Sequence, residues 1–308
     1  MDLQKLEYFL AVRDRGSINS AATHLGVAQP TISQALRSLE REFGVELFHR
    51  IGRGMALTSA GYALVGPARR LLRDIATAAG SVRDDAGNLR GVLEIASAPS
   101  LTSGRVVDLV LEFHRRWPQA QVNLIELSDE AIGVDLVREG HHELLVTGLP
   151  LPTIERARPG DARLATLGLG EQEYWIALPP GHTVPLPPDG GPVPMELLAG
   201  ISMVFVPPGS SAQASDIQTE LERIGRQSPP AVVLQHREAR LAFVASGAGA
   251  TFLERSMVDN ARVRGVEMRP TTPLMRRPFG IVYDPAGQSP VAQAFLRLAA
   301  ERAAEPGP

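Results

Sequence analysis

The 308-residue chain has no cysteine, which excludes disulfides, thiolate nucleophiles and thiolate metal sites. Lysine is almost as scarce: Lys5 is the single example, so positive charge is carried by arginine. No apolar run reaches the roughly 20 residues that span a bilayer. The first ten residues, MDLQKLEYFL, are acidic and amphipathic, whereas a secretory signal is basic and then apolar. A cytoplasmic protein with no membrane partner is the expectation. Catalytic signatures are missing as well. There is no HExxH spacing and no GxSxG elbow. Gly247-Ala248-Gly249 follows a helical segment, so it reads as a turn and not as a nucleotide fingerprint. His141-His142-Glu143 has metal-ligating residue types, but neighbours on a strand point to opposite faces, so a solvated loop is expected. Nothing marks Glu171 and Glu173 as a catalytic pair. These absences predict no enzyme, no metal and no cofactor.

The length allows two or three compact units, and the formal net charge of −3 conceals an asymmetry between them. Residues 1–90 hold Lys5 and eleven arginines against nine acids, about +3, which leaves −6 for the remainder. A basic end on an acidic body suits a nucleic-acid-binding segment joined to something else. The most informative stretch lies in that end: residues 17–43, SINSAATHLGVAQPTISQALRSLEREF. Ser17 can cap a short helix whose small residues Ala21 and Ala22 admit a close neighbour. Gly26 suits the turn that follows, and Pro30 suits the first turn of a second helix. Ile32, Leu36, Leu39 and Phe43, at three- and four-residue steps, predict one buried face. The opposite face offers Gln29, Thr31, Ser33, Gln34, Arg37 and Arg41. Two helices joined by a tight turn form a helix-turn-helix, whose second helix can enter a DNA major groove.

Residues 45–50 and 51–58 read as two short strands around Gly52-Arg53-Gly54, a hairpin wing with Arg53 at its tip. Thr58 can cap the next helix. The stretches FLAV, SINSAATHLGVAQPTISQALRSLEREFGVELFHR and LTSAGYAL occur in order, and with them the chain resembles the LysR-type transcriptional regulators. That resemblance implies a winged helix-turn-helix over residues 1–58, with Gln29, Pro30 and Ser33 as DNA contacts. Thr31, Gln34, Arg37 and Arg53 complete the expected DNA-binding set. Gln34 stands where such regulators commonly carry arginine, and Ala28 replaces a frequent capping serine.

A helix over 59–85 is predicted next, with Leu64, Leu71 and Ala78 at seven-residue steps, interleaved with Ala68, Ile75 and Val82. The pattern alone fits either a helix packed on its own domain or a dimerising one; the resemblance implies a dimerisation linker over 59–89. Pro67 predicts a kink near its start. From residue 91 strands and helices alternate, which predicts α/β units with parallel strands. The fold class is therefore α/β, with a body over 90–308 in two lobes: 90–166 with 270–308, and 167–269. The segment 182–194 is expected to be a surface loop. Residues 91–300 resemble the effector-binding region of LysR-type regulators, which implies a fold like that of periplasmic binding proteins. The clearest matching pieces are Pro179-Pro180-Gly181-His182, Pro207-Pro208-Gly209-Ser210-Ser211 and Val244-Ala245-Ser246-Gly247-Ala248-Gly249. His141-His142-Glu143 departs from the family pattern.

Ligands of open α/β sheets bind at the carboxyl ends of strands, against the amino ends of helices. Two loops meet that rule, one with Ser100, Thr102 and Ser103, the other with Ser210 and Ser211. Hydroxyls, free N–H groups and a helix dipole together favour a carboxylate. Ser128, Thr147 and His236 close neighbouring strand ends. The alternative is that these hydroxyls only cap their helices. The expected partners are operator DNA, a small organic-acid effector, further copies in a homodimer or homotetramer, and RNA polymerase. A regulator that needs no effector, or a solute-binding protein or enzyme explaining only residues 91–308, are the competing readings.

Overall fold

A computed structural model describes residues 2–52, 54–82, 89–127, 130–151, 164–188, 190–207, 212–225, 230–234 and 236–304. The chain begins with three helices, α1 (Leu3–Arg15), α2 (Ile18–Leu25) and α3 (Gln29–Phe43). Ser17 Oγ accepts from the Ser20 N–H at 3.1 Å and starts α2. Gly26 ends it at φ 67°, a left-handed geometry that costs a glycine little. Leu6, Phe9, Val12, Ala21, Ile32 and Leu39 are fully buried where the three helices meet. One expected core residue is not: Phe43, at the end of α3, is exposed, as is Leu3 at the start of α1. The strands β1 (Phe48–Ile51) and β2 (Gly54–Leu57) pair antiparallel as a wing. Glu40 accepts from the Leu47 and Phe48 N–H groups at 2.9 and 3.4 Å, which ties the wing to α3.

Thr58 Oγ1 accepts from the Gly61 N–H at 3.0 Å and opens α4 (Ser59–Val82), which contains Pro67. The heptad stripe divides. Ala68 is buried and Leu64 packs on the core of the three-helix head, while Leu71 and Ile75 face outward. Self-packing thus accounts for the first half of the helix and leaves Leu71 and Ile75 uncovered.

The body follows as β3 (Gly91–Ser97), α5 (Arg105–Arg116), β4 (Ala120–Glu126), α6 (Glu130–Arg138) and β5 (Leu144–Gly148). Next come β6 (Ala165–Leu178), β7 (Val193–Pro194), β8 (Val204–Phe205), α7 (Ala212–Arg223), β9 (Val232–Val233) and α8 (Arg237–Ala245). The chain ends with β10 (Thr251–Glu254), α9 (Val258–Val263), β11 (Glu267–Arg269), β12 (Thr271–Thr272), β13 (Met275–Tyr283) and α10 (Pro290–Ala303). One sheet runs β10-β6-β13-β5-β3-β4, and β11 also pairs with β6. β3 is parallel to β4 and β5, as strand–helix alternation requires. The antiparallel pair β6 and β13 connects the lobes: one end of it pairs with β5, the other with β10 and β11. Phe113 and Phe295 meet edge-on at 5.3 Å in the first lobe's core, a geometry that adds about 1 kcal/mol to area burial. The stretch 182–194 is less of a surface loop than expected, because Val184 and Val193 are buried in the second lobe's core.

The largest correction concerns His141, His142 and Glu143, which are 3 %, 8 % and 6 % exposed instead of solvated. The cause is α4. A side chain at Gly66 would collide with the Glu139 carbonyl, so the helix lies directly on the turn between α6 and β5. Tyr62 packs against the His141 ring with centroids 4.9 Å apart. Arg70 donates to the Arg138 carbonyl at 3.1 Å, and Arg73 to the carbonyls of Gly140 and Gly287 at 3.0 and 3.1 Å. Arg69 lies 2.8 Å from Glu94 of β3 and 3.5 Å from Asp14 of α1, linking head, helix and body. Burial lowers the pKa of both histidines to about 4, and the charge of Arg69 adds to the effect. Burial also raises Glu143, against the opposing pull of Arg73.

Candidate nucleic-acid interface and effector cleft

The outward face of α3 is built from residues that the core rejects. Gln29, Pro30, Thr31, Gln34 and Arg37 are exposed and Ser33 is half-buried, on the side away from Ile32, Leu36 and Leu39. Ala28 precedes the helix without a side-chain cap, and the Thr31 N–H turns back to the Ala28 carbonyl at 3.0 Å. Arg37 donates from Nε to the Ser33 carbonyl at 3.2 Å and from Nη2 to Ser33 Oγ at 3.3 Å. This aims its guanidinium toward the start of the helix, among the amide and hydroxyl groups. Lys5 Nζ donates to Ser38 Oγ at 2.9 Å and sits 3.5 Å from Glu42, so the single lysine fastens α1 to α3. In the wing, Ile51 lies opposite Gly54, which leaves a two-residue turn. Arg53, expected at its tip, lies outside the described residues.

At the lobe interface the expected effector residues part company. Ser128, Ser210 and Ser211 lie outside the described residues. Ser100 occupies a short 3-10 turn, Pro99–Leu101, and is half-buried. The following helix begins later than expected: Gly104, at φ 55°, precedes α5, whose first residue is Arg105. Its dipole therefore does not start at Ser100. Thr102 is also already engaged. Its hydroxyl is 2.9 Å from the Pro99 carbonyl and 2.8 Å from Glu126, two acceptors for one proton, and the carboxylate there repels an anion. Ser103 Oγ accepts from Ser256 Oγ at 3.1 Å, a direct link between the lobes. His236 is exposed ahead of α8 and makes no capping bond. Thr147, near the carboxyl end of β5, is fully buried, and its hydroxyl has no hydrogen-bond partner.

One charged residue of this region was missed by sequence reasoning. Arg277 of β13 reaches the end of β5: its Nε is 2.7 Å from where a side chain at Gly148 would begin. Its Nη1 bonds Asp216 of α7. Only the dipeptide Arg276-Arg277 in an otherwise apolar strand could have signalled it.

Comparison with known proteins gives this geometry a family. Residues 86–304 match the LysR substrate binding domain, and residues 3–62 match the bacterial regulatory helix-turn-helix of the lysR family. The chain belongs to the LysR-type transcriptional regulators. This LysR-type regulator is 27% identical over 301 residues to the HTH-type transcriptional regulator TfdS of Cupriavidus pinatubonensis, spanning 97% of this chain and 98% of that protein. Its fold is similar to full-length OxyR from Pseudomonas aeruginosa, with a TM-score of 0.73 at 22% identity over 98% and 94% of the two chains. It is also similar to full-length CbnR complexed with its target DNA, with a TM-score of 0.65 at 22% identity over 99% and 100%. The LysR-type chain is thus a DNA-binding transcriptional regulator whose body is an effector-binding domain. No helix among the described residues is long and apolar enough to cross a membrane.

Proposed function

We propose that this LysR-type regulator reads operator DNA with Gln29, Pro30, Thr31, Ser33, Gln34 and Arg37, and is controlled by a small acid between its lobes. Arg53 is assigned to the minor groove beside that major-groove contact. The exposed polar face of α3 supports the DNA assignment. The effector assignment is carried by the Thr147 hydroxyl, buried without a partner at the strand end where α/β sheets take ligands. Ser100 completes the first-lobe side, and Ser210 and Ser211 are assigned to the second. The protein acts by binding, not catalysis, in the cytoplasm. The uncovered Leu71 and Ile75 of α4 support pairing with a second copy, as a homodimer or as half of a homotetramer. Bound at a promoter, such an assembly would meet RNA polymerase.

Substituting Ser100→Ala together with Ser210→Ala should abolish the response of a promoter footprint to small acids while leaving operator binding unchanged. A footprint that still shifts normally in the double variant would move the site away from these loops. A second reading, in which the lobes serve assembly alone, is favoured by the Ser103–Ser256 hydrogen bond that joins them directly. It predicts that no small acid raises the melting temperature, since a ligand stabilises by mass action only the state that binds it.

A further inference from the structure

We infer that Arg277 is the residue that binds the effector's carboxylate, in competition with Asp216. The inference rests on the reading above that a small acid occupies the interlobe cleft. Arg277 pairs with Gln172 in the ladder where β6 and β13 pass from one lobe to the other. Its guanidinium spans from Gly148, the last residue of β5 in the first lobe, to Asp216 in α7 of the second. That position bridges the two lobes. Gly148 is what admits it, because any side chain there would start within 2.7 Å of Nε.

The arginine is only partly satisfied. Nη1 is used by Asp216, while Nε is buried and has no acceptor. A buried N–H without a partner is costly and rare in folded proteins, and an anion is one of the few groups that resolves it. The Thr147 hydroxyl, one residue before Gly148, is orphaned in the same way. Neighbouring side chains leave a strand on opposite faces, so on the Gly148 side it is the Arg277 Nε that is left without an acceptor. A carboxylate fits the fork of a guanidinium, accepting along its Nε edge with a geometry that a point charge does not offer.

Among the described residues, Arg255 and Arg276 of the same region have no buried nitrogen without a partner. Arg255 lies 3.5 Å from Glu173, and Arg276 is 2.9 Å from Glu171. Asp216 is 55% exposed, so its hold on Arg277 is largely screened and can be exchanged for a ligand held out of water. The exchange would release α7 from the crossing strand and let the second lobe settle on the ligand. Asp216 is then a competitor, and that distinguishes this role from a structural ion pair.

Thermal shift of the full-length protein, at constant ionic strength, tests the assignment with acetate and benzoate as probes against acetamide and benzamide. The carboxylates should raise the melting temperature and the amides should not. Arg277→Gln should weaken the apparent carboxylate affinity about tenfold to a hundredfold. Arg277→Lys should fall between, and Gly148→Ala should weaken binding with Arg277 still present. Asp216→Asn should tighten binding about two- to fivefold, whereas loss of a structural pair would not. Arg276→Gln should leave the response unchanged. If Arg277→Gln misfolds, the Gly148 and Asp216 variants carry the test. An undiminished response in Arg277→Gln or Gly148→Ala, or no tightening in Asp216→Asn, overturns the assignment and leaves acid control standing. No response to either carboxylate in the wild type overturns both, and operator binding still decides the DNA reading separately.

Discussion

Gln34 is exposed on α3 one turn after Pro30 and beside Arg37, and its amide both donates and accepts. That pair of groups matches the adenine edge in the major groove, whereas arginine matches guanine, each at about 1–3 kcal/mol of discrimination. Gln34→Ala should therefore relax selectivity at one base position per half-site in a randomised operator library. Unchanged selectivity would remove Gln34 from the readout. At this scale the sequence was legible where a local pattern decides. The period of Ile32, Leu36 and Leu39 separates core from DNA face within one helix. It was not legible where a distant element decides. The proton of Thr102 is drawn to Glu126 on the next strand, and Arg277 reaches the end of β5 from the far end of the chain.

Among the elements, α4 shows how much a single helix can hide. Its heptad stripe was visible, but the stripe does not describe the face that meets the α6–β5 turn. There Arg69, Arg70 and Arg73 bond mainly to backbone carbonyls, and a sequence does not reveal carbonyl positions. This explains why His141-His142-Glu143 reads as a surface loop and is buried. A consequence follows for pH. Both histidines have pKa values near 4 in the folded chain, below the unfolded value of 6.5. The contact of α4 with the body is thus at full strength above about pH 6.5 and weakens as pH falls toward 4. Glu143, whose pKa is raised, has the opposite sign, its contribution declining as it ionises at higher pH. The melting temperature should fall between pH 7 and pH 5, and His141→Gln with His142→Gln should flatten that fall. An equally steep decline in the double variant would place the pH dependence elsewhere.

At the scale of the whole molecule, the fold joins two devices that the sequence displayed separately. Strand–helix alternation and the helix-turn-helix spacing established both architectures, because each rests on local periodicity. How they are fastened depends on contacts such as Arg69 with Asp14 and Glu94, which bring three elements together. With head, α4 and first lobe in one piece, a ligand that draws in the second lobe acts on the paired α4 helices as a rigid load. The expected result is a change in how two heads sit on DNA, and so in DNA bend, more than a change in affinity. Energy transfer between fluorophores at the two ends of a bound promoter fragment measures this most directly, with the full-length protein titrated with acetate and benzoate. The account predicts a change in end-to-end distance while operator affinity stays within about threefold, less than about 1 kcal/mol. A distance that never moves, with affinity unchanged or shifted tenfold, would contradict it.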